Sequence, residues 1–297
     1  MRTLLKGLCL LLFVFLLAAC SNNETKQKDE SPESSKQSTK SIQVLVIGID
    51  SRGEAKSRSD AILIGQYNPV KKSIKIASIM RDTYVKIPTY SKGSNKINMA
   101  YFLGGNELLV KTIKENFGIT IDHVVTIDFQ GFTHVIDAIA PEGIEVEVTE
   151  EMIADMNLPL QPGKQFLHGE HLLKYVRFRH DAESDFGRVK RQQEVMVKIK
   201  NRLTEEMSSL EQIASLPKLM ESTLKYVESD LSLTDTLSLT SMVFLNSIDH
   251  VETMTIPVAQ GFTNKTYEHA GAVLQMDQSK NIEALNVFFN IPKAVNN

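Results

Sequence analysis

Tryptophan is absent, and cysteine occurs only twice, at Cys9 and Cys20. Both lie in the first twenty residues, so no disulfide or cysteine-ligated metal site can form in the rest of the chain. Without tryptophan, a broad aromatic platform for sugars is disfavoured. Basic excess is lacking too: 33 Lys and Arg stand against 36 Asp and Glu, a formal net charge of −3. The isoelectric point is near 6.2. Nucleic-acid binders need a basic face to neutralise phosphates, so this balance argues against that class. The remaining composition is ordinary, with 42% hydrophobic and 23% charged residues over 297 positions. That excludes a disordered, collagenous or coiled-coil bulk and allows one large domain or two small ones.

The first 19 residues read as a signal peptide. Arg2 and Lys6 form a positive start, and Gly7 to Leu17 is an apolar run too short to span a bilayer comfortably. Leu17-Ala18-Ala19-Cys20 resembles the bacterial lipobox, which implies cleavage before Cys20 and lipidation of its thiol. A plain secretory signal and an uncleaved anchor are the alternatives, and all three place the chain outside the cytoplasm. Cleavage removes Arg2 and Lys6, leaving 31 basic and 36 acidic residues, a net charge of −5. Residues 20–41 are rich in Ser, Lys, Glu and Gln, bury little, and read as a flexible tether to the membrane surface.

From residue 42 strands and helices interleave. Ile42–Ile49 is a continuous apolar run ending at Asp50, the pattern of a buried strand. Ala61–Tyr67 follows Asp60, and Asn68-Pro69 turns the chain into a third strand, Ser73–Ile79, which runs into Arg81-Asp82. Helical spacing predicts a helix over Asn106–Asn116, with Gly118 as its C-cap. Further expected elements are a strand His123–Phe129, a helix Phe132–Ile139 and a strand Ile144–Val148. A loop bracketed by Gly163 and Gly169 leads to a short helix, then to a strand Leu173–Phe178. A long helix Ser184–Met207 follows, with Ser184 as N-cap. Helices over Ser209–Val227 and Leu233–Leu245, a strand Val251–Pro257 and a helix Lys280–Phe289 complete the chain. The natural packing is an α/β/α sandwich, a central mixed sheet with helices on both faces. Its core is expected over residues 42–205, with 206–297 completing the same domain.

The chemistry-bearing residues fall at predicted element ends. Arg177 and Arg179, two apart on the expected strand, share a face. Asp185, Arg188 and Gln192 form a stripe on the following helix. Arg81 follows the third strand, and Asp50 and Asp60 flank the first loop. Converging arginines suit phosphate or pyrophosphate, which the planar guanidinium binds bidentately. Asp50 and Asp60 are candidate ligands for Mg²⁺, which takes carboxylate and phosphate oxygens together. The alternative is that these are surface ion pairs. Other motifs fail: Gly104-Gly105 lacks the residues of a P-loop, and no Gly-x-Ser-x-Gly elbow exists. His168, Glu170 and His171 are a weak zinc signal. His180 is either a proton carrier or structural.

Six blocks together resemble the LytR-CpsA-Psr (LCP) family. They are Gly48–Arg52, Arg58–Leu63, Ser78–Val85, Lys96–Tyr101, Tyr175–His180 and Asp185–Gln193. The resemblance implies an extracytoplasmic phosphotransferase of Gram-positive envelopes. Such enzymes move a glycopolymer of the wall teichoic acid, teichuronic acid or capsule type from a polyprenyl-pyrophosphate carrier to peptidoglycan, at the muramic acid 6-hydroxyl. It also implies a hydrophobic lipid pocket between sheet and helices, with pyrophosphate at its mouth. Arg81, Arg177, Arg179 and Arg188 match the family's pyrophosphate arginines, Gln192 a polar contact, and Asp185 a further acid. Asp50 and Asp60 match the residues linked to Mg²⁺ or Mn²⁺, and Arg52, Arg58 and Lys96 lie inside matching motifs. Met80 stands where many relatives have Pro, and Pro141 interrupts a stretch that often reads Gly-Gly. Pocket walls are expected from Leu108, Ile113, Val135, Ile136 and Val195. The proton acceptor stays open between Asp185 and Asp82. A polyprenyl-pyrophosphate hydrolase, a lipid-binding module and an indirect regulator of transcription remain as alternatives.

Overall fold

A computed structural model describes residues 40–50, 57–181, 183–206, 226–231 and 250–291. Its centre is a mixed six-stranded sheet in the order β10-β3-β2-β1-β6-β9. The strands are β1 (Ile42–Ile49), β2 (Ser59–Asn68), β3 (Ser73–Ile79), β6 (His123–Asp128), β9 (Val227–Ser229) and β10 (His250–Ile256). β1 pairs antiparallel with β2 and parallel with β6, and β10 runs parallel to β3.

Period-two alternation divides the apolar run of β1 between two cores. Val44 and Val46 face one, while Leu45 and Ile47 face the other. Each fully buried aliphatic side chain contributes roughly 1.5–3 kcal/mol by leaving water. The second core is covered by α1 (Ile97–Phe117) and by α6 (Gln278–Phe289). The first is covered by α2 (Phe129–Ile139), α4 (Gly169–Arg177), α5 (Ser184–Glu206) and the hairpin of β7 (Ile144–Val148) and β8 (Gly163–Leu167). A short α3 (Glu150–Met156) joins β7 to β8. The α/β/α sandwich expected from the sequence is therefore the observed fold.

A second sheet, β11-β12-β4-β5, adjoins the first at the end of β3. It comprises β4 (Thr83–Lys86), β5 (Ser94–Lys96), β11 (Phe262–Tyr267) and β12 (Gly271–Met276). None of these four strands was expected. α1 also begins earlier than its periodicity suggested, because the helix breaks at Gly104-Gly105, where Gly105 has φ +58. Gly118 is the left-handed C-cap predicted for it.

Several expectations are overturned. Leu173–Phe178 is not a strand: Gly169–Arg177 is α4, with Leu172, Tyr175 and Val176 buried at helical spacing. The run Tyr-Val-Arg-Phe suits either structure locally, and packing against α2 decides for helix. Gly169 allows that packing, since a Cβ there would lie 2.4 Å from the Thr133 carbonyl oxygen. Ser184 is not the N-cap of α5 but its first residue, at φ +49, and its N–H donates to Asp181 Oδ1 at 2.7 Å. Gly163–Leu167, expected as loop, is β8, and Val227, expected in a helix, lies in β9. Residues 207–225 and 233–245, with the helices expected there, lie outside the described residues. So do Cys20, Arg52, the signal segment and all but the end of the tether.

Candidate active site

Strand directions collect polar residues at one end of the main sheet. β1 ends at Asp50, its parallel neighbour β6 ends at Asp128, and β3 leads into Arg81. Antiparallel β2 starts at the same end, where the register jumps: Gly48 pairs with Ala61, but Ile49 pairs with Ser59. Asp60 is therefore the extra residue of a β-bulge. Bulges re-aim side chains, and here Asp60 and Ala61, consecutive in sequence, both line one cavity.

The cavity has a volume of about 800 Å³. It lies between the first-core face of the sheet and helices α2, α4 and α5. Below the polar end its walls are apolar, with Val46, Leu63 and Ile127 from the sheet and Val195, Met196 and Ile199 from α5. Small residues leave the space beneath the polar end open: a Cβ on Gly48 would meet the Ala61 Cβ at 3.1 Å. Of the expected walls, Val195 lines the cavity. Leu108 and Ile113 belong to the opposite core, and Val135 and Ile136 are buried in the first core without lining the cavity. Core and cavity walls share one periodicity, so the pattern alone does not distinguish them.

Asp50, Arg58, Asp60, Arg81, Arg177, Arg179, Arg188 and Gln192 all line the cavity. Arg81 Nη1 donates to Asp60 Oδ1 at 2.6 Å. Arg177 lies 3.6 Å from Asp50 Oδ2 and stacks its guanidinium 4.0 Å from the centre of the Phe129 ring. Arg58 sits over Phe102 at 5.6 Å. Gln192 Nε2 donates to the Val176 carbonyl at 3.4 Å, tying α5 to α4.

Asp185 and Lys96 stand behind this lining. Asp185 Oδ1 is 3.2 Å from Arg188 Nη1 and 3.6 Å from Arg179 Nη1. Lys96 Nζ is 2.8 Å from Asp82 Oδ1, and Asp82 Oδ2 is 3.6 Å from Arg81 Nε. Arg177 and Arg179 thus converge on one site without sharing a strand. Arg177 ends α4, and Arg179 lies in the extended segment after it.

Burial opposes the charge on Arg81, but the hydrogen bond and charge of Asp60, followed by Asp82 and Asp185, outweigh it and hold its pKa above the ordinary value. Arg188 differs. Its side chain is 4% exposed, and burial, with Arg81 as a like charge nearby, lowers its pKa to about 10. Both remain charged at neutral pH. Asp82 is also opposed by burial, yet its hydrogen bonds from Lys96 and with Asp185 keep it below the ordinary carboxylate range. The Nε–H groups of Arg81 and Arg188 are buried and have no hydrogen-bond acceptor. Arg191 and Arg202 have the same buried Nε–H, so what marks this site is that Arg81, Arg177, Arg179 and Arg188 line one cavity together, an arrangement suited to an anion.

Two residues without an assigned part in the sequence reading, Asp181 and Arg191, hold the Arg179 segment. Arg191 Nη1 donates to Asp181 Oδ2 and Nη2 to the Phe178 carbonyl, each at 2.6 Å. Arg191 also lies 5.1 Å from the Phe178 ring centre. Its place three residues after Arg188 was the available signal. Gln193 performs the matching task for α5, donating to Ser78 Oγ at 2.9 Å and to the Met254 carbonyl at 3.1 Å. This sets the Arg188 helix against β3, the strand that leads into Arg81.

Among the described residues no group of three or more His, Cys, Asp or Glu converges as a metal cage, and His168, Glu170 and His171 form none. Asp50 and Asp60 enter the cavity as two carboxylates. Mg²⁺ takes one or two carboxylates and completes its shell with phosphate and water, so this donor set fits a site that substrate completes. No helix among the described residues is long and apolar enough to cross a membrane.

The charged cavity in an α/β/α sandwich defines a class that comparison with known proteins identifies. The LytR_cpsA_psr family model matches residues 11–286, and the chain belongs to that family. It is 36% identical over 249 residues to regulatory protein MsrR of Staphylococcus aureus (strain COL), covering 84% of this chain and 74% of that protein. It is 33% identical over 228 residues to the polyisoprenyl-teichoic acid–peptidoglycan teichoic acid transferase TagV of Bacillus subtilis (strain 168), covering 73% of this chain and 56% of that one. Among solved structures it resembles TagT bound to LIIa-WTA, with a TM-score of 0.66 and 28% identity, over 84% of this chain and 91% of that chain.

Proposed function

We propose that the chain is an extracytoplasmic phosphotransferase. Its donor is an anionic glycopolymer of the wall teichoic acid, teichuronic acid or capsule type, linked to a polyprenyl pyrophosphate. Its acceptor is the muramic acid 6-hydroxyl of peptidoglycan. The observation that carries this reading is the convergence of Arg81, Arg177, Arg179 and Arg188 on the charged end of an otherwise apolar cavity. A pyrophosphate with a hydrocarbon tail matches both halves.

Phosphoryl transfer needs positioning and charge neutralisation more than covalent help. Arg81 and Arg188 bind phosphate oxygens from the buried side, and Arg177 and Arg179 from the exposed side. Val46, Leu63, Val195 and Ile199 hold the prenyl chain and keep water from it. Asp185 orients Arg179 and Arg188, and Lys96 keeps Asp82 ionised behind Arg81. Asp50 and Asp60 are the residues to hold Mg²⁺ or Mn²⁺, which supplies further neutralisation of the pyrophosphate. Cleavage before Cys20 and lipidation of its thiol would anchor the protein at the outer membrane face, where such a donor lies.

The name of MsrR favours a second reading, a regulatory module that binds the lipid without turnover. A reconstitution with full-length protein in detergent separates the two. The mixture contains a synthetic polyprenyl-pyrophosphate saccharide, peptidoglycan oligomers and Mg²⁺, and mass spectrometry follows the products. A saccharide–peptidoglycan conjugate, lost in an Arg81→Ala, Arg179→Ala double variant, supports the transferase. Prenyl phosphate released without conjugate indicates a hydrolase. Lipid retained without turnover indicates the binding module.

A further inference from the structure

Transfer to a hydroxyl requires a proton acceptor, and the carboxylates at this end of the sheet are engaged by cations or by the backbone. Asp60 faces Arg81, and Asp50 faces Arg177. Asp185 faces Arg179 and Arg188. Asp82 faces Lys96 and Arg81, and neither Asp82 nor Asp185 lines the cavity. Asp128 caps α2 by accepting from the Gly131 N–H.

One cavity-lining pair is built differently. His180 Nδ1 lies 2.5 Å from Asp155 Oδ1, and both residues line the cavity. Asp155 comes from α3, in the connection between β7 and β8. If the carboxylate accepts Nδ1–H, Nε2 is left with the lone pair, the tautomer of an oriented base. The imidazole meets the Phe178 ring edge-on at 6.3 Å, and Arg191 holds the Phe178 carbonyl. The neighbouring Asp181 is committed to Arg191 and to the Ser184 N–H. The His180 side chain is 71% exposed, so a polymer-sized acceptor can reach it from solvent while the lipid occupies the apolar end.

We infer that His180, oriented by Asp155, takes the proton from the acceptor hydroxyl. This rests on the transferase reading. The hydroxyl oxygen forms a bond to the phosphorus that bears the saccharide, and its proton passes to His180 Nε2. The bond from that phosphorus to the bridging oxygen breaks, and prenyl phosphate leaves with the electron pair. His180 then returns the proton to solvent. Asp155 is a positioning residue. The charged groups that share this cavity lining are Lys174 and Arg177 of α4, Arg179 beside His180, Arg188 of α5, and Asp50, Arg58, Asp60, Arg81 and Asp128 at the polar end of the sheet.

The test is the initial rate of conjugate formation between pH 5 and 9 with full-length protein. The wild type should show a rate that rises from acid pH as an imidazole deprotonates. His180→Gln should lose about 10²–10⁴-fold in kcat, the range of general-base effects, along with that acid limb. Its affinity for inorganic pyrophosphate should be unchanged. Added imidazole should restore rate to His180→Gly in proportion to its unprotonated concentration. Asp155→Asn should slow the reaction while keeping an acid limb. A His180→Gln enzyme within threefold of wild type, or one that has lost pyrophosphate binding, overturns the inference. A wild type that releases prenyl phosphate to water with the same His180 dependence overturns transfer but supports the base. A wild type without any turnover overturns both.

Discussion

The Asp60 carboxylate accepts a hydrogen bond from Arg81 Nη1 at 2.6 Å, across the start of β2 and the end of β3. The bulge that skips Asp60 in the β1–β2 register turns it towards that arginine. Pairing leaves Arg81 with one guanidinium edge satisfied and its Nε–H without an acceptor. Asp60 thus orients the arginine and competes with an anion for it. Asp60→Asn should bind inorganic pyrophosphate more tightly, by about 3–10-fold without divalent cations, because one negative charge is gone. Its turnover with Mg²⁺ should fall by at least tenfold if this carboxylate holds the metal. Titration calorimetry checks the first expectation. Weaker pyrophosphate binding in the variant would contradict it.

Arg188 should be more important for binding than for stability. Its buried charge lies near Arg81, which disfavours the protonated form in the folded state. Replacing a buried, poorly compensated charge by an apolar group of similar size is often neutral or stabilising. Arg188→Met should therefore unfold within about 1 kcal/mol of wild type, or later, in urea at pH 7 without ligand. It should lose the thermal stabilisation that pyrophosphate gives wild type. A loss above about 2 kcal/mol would show that Arg188 is a structural ion-pair partner.

The opposite holds for Arg191. Its side chain is 9% exposed, and Asp181 is its close partner. Arg191→Ala leaves that carboxylate and the Phe178 carbonyl without their donor. The expected cost is about 2–4 kcal/mol, towards the lower side of measured buried-pair truncations, because Asp181 keeps the Ser184 N–H. Activity should fall as well, since Arg179 and His180 ride on the released segment. Urea unfolding and the conjugate assay measure the two effects separately.

Asp82 gives a pH signature. Its pKa in the folded protein lies below the ordinary value, so the folded state binds fewer protons than the unfolded state in the acid range. The stabilisation is therefore fully present above the unfolded pKa, about 3.9, and is lost as pH falls through the lower folded value. Asp82→Asn should be less stable than wild type between pH 5 and 7, and the gap should close below about pH 4. A gap independent of pH would mean that Asp82 acts through shape and not through charge.

Much of the strand pattern was legible in the sequence. Ile42–Ile49, Ser73–Ile79 and Ile144–Val148 match β1, β3 and β7 at both ends, because buried apolar runs bounded by polar residues leave few readings. β11 was invisible for the opposite reason: FTNKTY carries four exposed polar residues and no apolar alternation. Tyr175–Phe178 misled because four residues cannot separate helix from strand, and Gly169 against Thr133, a tertiary contact, decides it. The charged residues of the cavity were legible as a set, but their geometry was not. That Asp60 faces the cavity depends on a bulge, and that Asp155 meets His180 depends on α3. Neither leaves a mark in residue spacing.

The central claim is that one cavity holds pyrophosphate at its charged end and a prenyl chain at its apolar end. Photo-crosslinking tests it most directly. The probe is a prenyl pyrophosphate carrying a benzophenone at the end of its chain, irradiated with the full-length protein and mapped by peptide mass spectrometry. Crosslinks are expected on Val195, Met196 and Ile199 of α5 or on Leu63 of β2, suppressed by unlabelled prenyl pyrophosphate and lost in Arg81→Ala, Arg188→Met. Crosslinks confined to α1 or α6, or unaffected by those arginines, would contradict the account.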